Sequence, residues 1–467
     1  MKLYNTPKKT VEEVKPLKPG KVTVYTCGPT VYNYPHIGNW FTFVRYDLLV
    51  RALKASGLDV TWVMNITDVG HLVSDADEGE DKLEKGARRE GKSAWDIAKL
   101  YGDNFVEGLK KLNFLPIDEL PKATDHIPEQ IELVKTLEGK GLTYIIDAGV
   151  YFNTSKFPRY ADFAGLKLDE QEAGARVAVN EQKKNPTDFA LWKFSPAGHK
   201  RDMEWDSPWG KGFPGWHLEC SAMSMKYLGE TIDIHAGGID HIPVHHTNEI
   251  AQSEAATGKP FVNHWLHTNH ISVEGEKISK SLDNGITLED IEAKGFTPED
   301  VRMLVLESHY RTQSIFSWDT LGAAHNRVKK WQSAADLRFQ PQDKGSFQLV
   351  DLDYEAYRHD IGSSLADDLG TPRALTSVER LFDDLPFSER SMEDPRLVKF
   401  LHYLNDVTGI DLLKSRDINA TQKSLISERQ KARDNQDWAA ADKLRAQLAA
   451  AGIGLNDGSA GQIWYRL

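Results

Sequence analysis

Val22-Thr23-Val24-Tyr25-Thr26-Cys27-Gly28-Pro29-Thr30, followed by Pro35-His36-Ile37-Gly38-Asn39, is the stretch on which the reading of this 467-residue chain turns. Its first five residues form a β-branched and aromatic run, the composition of a strand held within a sheet. Gly28 and Gly38 let backbone N–H groups approach a phosphate closely at the mouth of a helix. That helix is expected from about Asn39: Phe41, Val44, Leu48 and Ala52 share one face, and Gly57 can end it. A second strand, Val60-Thr61-Trp62-Val63-Met64, ends in Asn65-Ile66-Thr67-Asp68. Thr67 is thereby expected at the carboxyl edge of the sheet, where open α/β folds bind ligands.

Far downstream, Lys277-Ile278-Ser279-Lys280-Ser281 occupies a loop after another apolar run. In this order the two motifs resemble the HIGH and KMSKS signatures of the class I aminoacyl-tRNA synthetase family. The resemblance implies an α/β, Rossmann-like catalytic domain that activates a carboxylate with Mg-ATP. Adenylate formation passes through a crowded, highly charged α-phosphoryl centre, so catalysis is largely positioning and electrostatic stabilisation. By resemblance His36 hydrogen-bonds the reacting phosphate, and Gly28, Thr30 and Gly38 belong to the nucleotide site. Asn39 stands where the family has a second histidine; it keeps a donor but carries no charge. Lys277 and Lys280 are implied to bring positive charge to the departing pyrophosphate, with Lys280 the more important.

The chain has only two cysteines, Cys27 and Cys220. Cys27 directly precedes Gly28 at the end of the first strand, and Cys220 closes Gly215-Trp216-His217-Leu218-Glu219-Cys220. Downstream, His245 and Glu249 stand one turn apart on one helical face. Two thiolates, an imidazole and a carboxylate are a reasonable zinc set. The arrangement resembles the cysteinyl-tRNA synthetase family, in which Cys27, Cys220, His245 and Glu249 fall on the four zinc positions, implying one Zn2+ per chain. Zinc suits the task of selecting cysteine, which differs from serine by a single atom. A soft thiolate ligates zinc well and an un-ionised hydroxyl does not, so the metal can supply discrimination of ~10⁴ without an editing site. The same resemblance places Thr67, Trp216 and His235 in the amino-acid pocket. It also places Gly237, Gly238 and Asp240 in the nucleotide segment, with Asp240 accepting from ribose hydroxyls.

Composition agrees with a cytoplasmic enzyme. No apolar leader follows Met1-Lys2, and no span approaches the ~20 apolar residues that a membrane helix requires. Two cysteines in metal-like settings argue against a disulfide framework. A net charge of −12 argues against indiscriminate nucleic-acid binding, so a tRNA must be held by local basic patches, shape and base contacts. Residues 71–82 are rich in carboxylates with a hint of calcium-loop spacing. Gly86, however, occupies the place of the closing glutamate, which favours a solvated acidic loop leading into a helix.

Five segments are expected. Residues 1–113 carry the first half of the Rossmann-like domain, and 114–194 a connective insertion with a strand at 149–152. Residues 195–318 carry the second half of the sheet, resuming near Asp206-Ser207-Pro208-Trp209 and running through the lysine loop. Residues 319–414 turn helical, as in the run 364–375, and resemble the family's helical bundle. Residues 415–467 resemble its small anticodon-binding domain, with two helices at 426–433 and 437–445 and a stop at Gly452. There Arg429, Arg433 and Arg445 are available for phosphates. Trp438 or Trp464 offers a face for a base, although burial between the helices is the better expectation for Trp438. The expected activity is ligation of L-cysteine to tRNA(Cys) by a monomer, with ATP as co-substrate. A cysteine ligase that uses an amino-sugar acceptor, as in mycothiol biosynthesis, and a non-catalytic zinc-stabilised RNA-binding paralogue are the alternatives.

Overall fold

The computed structural model describes residues 1–70, 81–165, 181–195, 201–277, 285–340, 351–388, 394–458 and 461–467. The chain forms two compact units, one of residues 1–291 and 310–315, the other of 292–309 and 316–467. Among the described residues no helix is long and apolar enough to cross a membrane.

The first unit is built on a parallel sheet in the spatial order Val262–Thr268, Ile232–Gly238, Lys21–Thr26, Asp59–Met64. Near-continuous runs of Val, Ile and aromatic side chains suit such strands, which are covered on both faces. The crossover between Lys21–Thr26 and Asp59–Met64 is the helix Ile37–Ala55. It starts at the expected place and ends before Gly57, whose φ of +83° is open to glycine without strain. Its buried Arg51 pairs with Asp47 at 2.6 Å and donates to the Asn113 carbonyl. Asp47 also accepts from the Leu115 amide, so this ion pair ties the helix to the chain leaving the helix Ala94–Lys111.

The helix Ala94–Lys111 packs Phe105 against Trp40 and Phe43. Gly108 sits so close that a Cβ there would lie 2.4 Å from the buried Trp40 ring. Gly108→Ala is therefore expected to lose about 1–3 kcal/mol by overpacking, although alanine is the better helix former. A lowered midpoint in thermal or urea unfolding checks it; an unchanged midpoint means that the indole shifts freely.

Between the halves of the parallel sheet lies an antiparallel sheet of Thr143–Ile146, Gly149–Phe152, Phe189–Phe194 and Gly212–Pro214. Val150, Phe152, Leu191 and Trp192 bury against the helix Ile127–Gly139 and Leu218. This corrects one expectation. The stretch at 206–209 leads into Gly212–Pro214 of the antiparallel sheet, and the parallel sheet resumes only at Ile232. Gly212 permits that pairing, because a Cβ there would lie 1.9 Å from the Lys193 carbonyl oxygen.

The second unit packs the helices Trp318–Ala335, Thr371–Asp384 and Pro395–Thr408 around Trp331, Phe382 and Phe400. The run 364–375 is not one helix. Tyr354–Ala366 stops, Asp368 and Leu369 take positive φ, and Thr371–Asp384 starts anew with Pro372 in its first turn. Proline lacks the N–H that a continuing helix needs, so Pro372 forces the break.

The chain ends in the helices Ala420–Asp434 and Trp438–Ala450 and a hairpin of Ile453–Gly458 with Gly461–Arg466. Here the tryptophan expectations reverse. Trp438 is 59% exposed, whereas Trp464 is buried with Leu448, Ile453, Leu455 and Ile418 and has no free face for a base. Nor is Arg429 available to phosphate: it is buried and forms a bidentate pair with Asp457 at 2.7 and 2.8 Å. Arg433 pairs with the same carboxylate at 2.5 Å, and Arg445 donates to the Leu455 carbonyl. These three guanidiniums serve to hold the hairpin onto the helices.

Candidate functional site

The candidate residues gather at the carboxyl edge of the parallel strands. Cys27 leaves Lys21–Thr26 with its amide donating to the Ala236 carbonyl at 3.1 Å. Cys220 lies in the helix Trp216–Leu228. That helix starts at Gly215, where a Cβ would lie 2.0 Å from the Ala190 carbonyl oxygen. His245 stands in the π-turn Ile242–His246, and Glu249 in the helix Thr247–Thr257 that continues it. Such a turn widens the helical spiral and often marks a functional site.

Cys27, Cys220, His245 and Glu249 are all buried, and one ligand atom from each lies within 4.8 Å of the others. A second set, Cys27, His235, His246 and Glu249, meets the same limit and shares two members. The first set is the better soft-metal site, because it uses both thiols; the second strands the buried Cys220. In the first set His235 Nε2, 2.7 Å from Glu249 Oε2, orients the carboxylate from behind.

Charge is strongly organised here. Burial opposes a charged His245, but Glu249 and Cys220 outweigh it and push its pKa up to about 10. Burial likewise opposes ionised Glu249, yet His235 and His245 hold it well below the usual carboxylate range. The hydrogen bond from Cys27 draws the Cys220 thiol down to about 7 against burial, while burial and that same partner push Cys27 up. Cys27 thus keeps its proton, and Cys220 is the readier thiolate.

His36 is the N-cap of Ile37–Ala55. Its Nδ1 accepts from the Gly38 and Asn39 amides at 3.1 and 3.4 Å, and Asn39 Oδ1 accepts from the His36 amide at 3.1 Å. Asn39 therefore closes a capping box. Burial lowers the His36 pKa. A neutral ring that accepts at Nδ1 carries its proton on Nε2, leaving that N–H as a donor. Gly28 lies against Asn65, whose carbonyl oxygen would be 1.7 Å from an added Cβ, and Thr30 bridges to Thr67.

Lys277 pairs through its backbone with Ser272 in a short hairpin. Lys280 and the rest of its motif lie outside the described residues, as do positions 71–80 of the acidic stretch. The chain beyond the lysine loop returns to His36: Ile37 donates to the Ile286 carbonyl at 2.7 Å, and His36 bridges Thr287. Asp81, at the end of the acidic stretch, caps the helix Lys82–Glu90 and pairs with the buried Arg201.

Around these four residues, the Trp216 ring lies 4.4 Å from that of His245, and His235 stacks on Trp265 at 4.7 Å. Thr67 donates to Glu219 at 3.1 Å. Asp240 is exposed. Gly237 is needed for packing, since a Cβ there would lie 2.4 Å from the His246 ring and 2.7 Å from that of His241. At Gly238 a Cβ would meet Asp240 Oδ1 at 2.3 Å.

His241, His246, His267 and Glu219 were not singled out by the sequence reading. His246 Nε2 is 3.4 Å from the Cys27 sulfur, and its Nδ1 is 2.8 Å from His267. Burial holds His241 down at about 4 and His246 and His267 well below the ordinary value. They form a neutral imidazole wall. The one signal for it was the density of histidine at 235, 241, 245 and 246.

Comparison with known proteins agrees in both halves of the chain. Residues 13–326 match the family described as tRNA synthetases class I (C) catalytic domain. Residues 415–464 match the Cysteinyl-tRNA ligase anticodon binding domain. The chain is 42% identical to a cysteine–tRNA ligase of Treponema denticola over the full length of both. It is 45% identical to cysteine–tRNA ligase 1 of Burkholderia lata, covering 98% of this chain and 96% of that one. Among solved structures, a ternary complex of Agrobacterium radiobacter LeuRS with tRNA and LeuAMS aligns with a TM-score of 0.58 at 11% identity. It covers 86% of this chain and 85% of that one. A methionyl-tRNA synthetase of Mycobacterium tuberculosis aligns at 0.56 and 14% identity, covering 83% of this chain and 92% of that one. At these identities the structural likeness speaks for the fold alone.

Proposed function

We propose that this chain, which belongs to the cysteine–tRNA ligase family of class I synthetases, joins L-cysteine to tRNA(Cys) at the expense of ATP. The observation that carries the reading is the convergence of Cys27, Cys220, His245 and Glu249 on one buried point at the carboxyl edge of the sheet. The donor set suits one Zn2+, which supplies a soft Lewis acid that favours a substrate thiolate over a hydroxyl. Trp216 and Thr67 flank the amino acid, and His235 fixes Glu249.

In the first step, cysteine carboxylate attacks the α-phosphorus of Mg-ATP, giving cysteinyl-adenylate and pyrophosphate. His36 Nε2–H donates to the phosphate as its charge redistributes, and Gly28, Thr30, Gly38 and Asn39 shape the nucleotide's seat. Gly237, Gly238 and Asp240 hold its ribose side. Lys277 and Lys280 neutralise the leaving pyrophosphate. In the second step a 3′-terminal ribose hydroxyl of the tRNA attacks the acyl carbon and AMP departs. The enzyme works as a monomer in the cytoplasm, where its tRNA is. Residues 1–113 and 215–318 supply the catalytic halves, 114–214 the insertion with its antiparallel sheet, 319–414 the helical bundle and 415–467 the anticodon contact. In that last segment the exposed Trp438 is the aromatic face left for a base.

A chain ending at Lys414 tests the acceptor. It should keep cysteine-dependent pyrophosphate exchange yet lose at least about tenfold in transfer to tRNA, and added salt should weaken tRNA use by the intact enzyme. Calorimetry establishes that the truncation is folded. If a folded truncation charges tRNA as well as the full chain does, the role given to 415–467 is wrong. Transfer to an amino sugar by both forms would favour the alternative ligase.

A further inference from the structure

A chain of hydrogen bonds starts one residue after Cys27 and ends one residue before Cys220. The Gly28 amide donates to Asn65 Oδ1 at 2.8 Å, Asn65 Nδ2 donates to Thr67 Oγ1 at 3.0 Å, and Thr67 Oγ1 donates to Glu219 Oε2 at 3.1 Å. Asn65, Thr67 and Glu219 are all buried. The Thr67 backbone is pinned as well: its amide donates to the Pro29 carbonyl, and its carbonyl accepts from the Val31 amide.

The direction of the second bond follows from the first, and that of the third from the accepting oxygen that Glu219 presents to Thr67. A backbone N–H can only donate, so the end of the Asn65 amide facing Gly28 must be oxygen. The end facing Thr67 is then NH2, which can only donate. Thr67 oxygen must accept there, and its own proton goes to Glu219 Oε2, an oxygen that accepts whether the carboxyl, whose pKa burial pushes up, is ionised or holds its proton on the other oxygen. A hydroxyl has one proton and two lone pairs. The proton and one lone pair are committed, and what remains is a single acceptor.

We propose that Asn65 and Glu219 are specificity-determining positioning residues that fix Thr67 as a hydrogen-bond acceptor for the α-ammonium group of the substrate. The inference rests on the reading above, in which Thr67 lines the amino-acid pocket. It assigns the pocket two recognition elements of different chemistry, the metal for the thiol and an oriented hydroxyl for the ammonium. A thiol acid without the amine would satisfy only the first and leave a buried acceptor unpaired.

The test is direct binding to zinc-loaded protein, by calorimetry, of L-cysteine and of 3-mercaptopropionate, its deamino analogue. Zinc content is measured for each variant. Glu219→Met keeps the volume and removes the acceptor, so Thr67 can turn its proton into the pocket. The preference for cysteine over the deamino analogue should fall at least about tenfold through weaker cysteine binding alone, with zinc retained. Glu219→Gln can still present an oxygen to Thr67 and should stay within about threefold of the unmutated enzyme. Equal weakening of both ligands, or an unchanged preference, would overturn the proposal.

Thr67→Val separates the two levels of the argument. If it abolishes the preference while Glu219→Met does not, Thr67 lines the pocket but its polarity is not set by Glu219. If Thr67→Val leaves the preference intact, the placement of Thr67 in the pocket fails too. The unmutated enzyme supplies an arm that no folding defect can touch. 3-Mercaptolactate, whose hydroxyl can donate, should bind more tightly than 3-mercaptopyruvate, whose carbonyl can only accept, and the reverse order would overturn the proposal.

Discussion

Cys220→Ser is expected to strip the protein of zinc and of cysteine activation together. The substitution is nearly isosteric and lies in a helix whose neighbouring Leu218, Ala222 and Met223 are also buried. What it removes is the more readily ionised of the two thiol donors, the one drawn down to about 7 by its hydrogen bond with Cys27. A serine hydroxyl does not ionise in this range and is a poor ligand for a borderline-soft cation. Outer partners of a metal site alone cost 10–100-fold in affinity or activity, so loss of an inner ligand should cost at least about a hundredfold in both. Metal analysis and cysteine-dependent pyrophosphate exchange on the same preparation check it. Full exchange activity in a metal-free Cys27→Ser/Cys220→Ser protein would refute the thiolate mechanism.

His36→Ala should lower the rate of adenylate formation by about 10²–10³ while leaving cysteine affinity nearly unchanged, the loss typical of removing one donor to a charged transition state. His36 has a second task, since its Nδ1 caps the helix through Gly38 and Asn39. The alanine variant should therefore also lose about 1 kcal/mol of stability. The two roles separate in His36→Asn, which can accept from the helix amides but does not place a donor where Nε2 lies. That variant should regain most of the stability and little of the rate. Recovery of both would mean that His36 acts on the reaction only through the cap.

Much of the catalytic unit was legible because its signals are local. The run at 22–26 and the stop at Gly57 are each decided within a few residues, and the helix expected from about Asn39 runs Ile37–Ala55, with His36 as a cap that was not foreseen. The four proposed ligands came from the resemblance to the cysteinyl-tRNA synthetase family, and the structure brings one ligand atom of each within 4.8 Å of the others. Contacts between distant segments were not legible. Nothing in the local pattern joins Asn65 and Thr67 to Glu219, or His246 to Cys27 and His267. The C-terminal segment shows the limit most plainly. Periodicity places Trp438 at the start of a helix but cannot say that the hairpin covers the other end, burying Trp464 and leaving Trp438 in water. It could not pair Arg429 with Asp457 either, since those residues meet only once the hairpin folds back. The run at 364–375 is helical on both sides of a break that periodicity does not mark, and Pro372 is the better guide to it.

The most direct test of the central claim is amino-acid-dependent ATP–pyrophosphate exchange by the zinc-loaded enzyme, with cysteine and serine compared at saturating ATP. A pocket that selects its substrate through a soft metal should favour cysteine over serine in kcat/KM by about 10⁴ or more, without any editing step. Exchange supported by serine to within about a hundredfold of cysteine, the margin an ordinary pocket reaches between near-isosteres, would contradict the account.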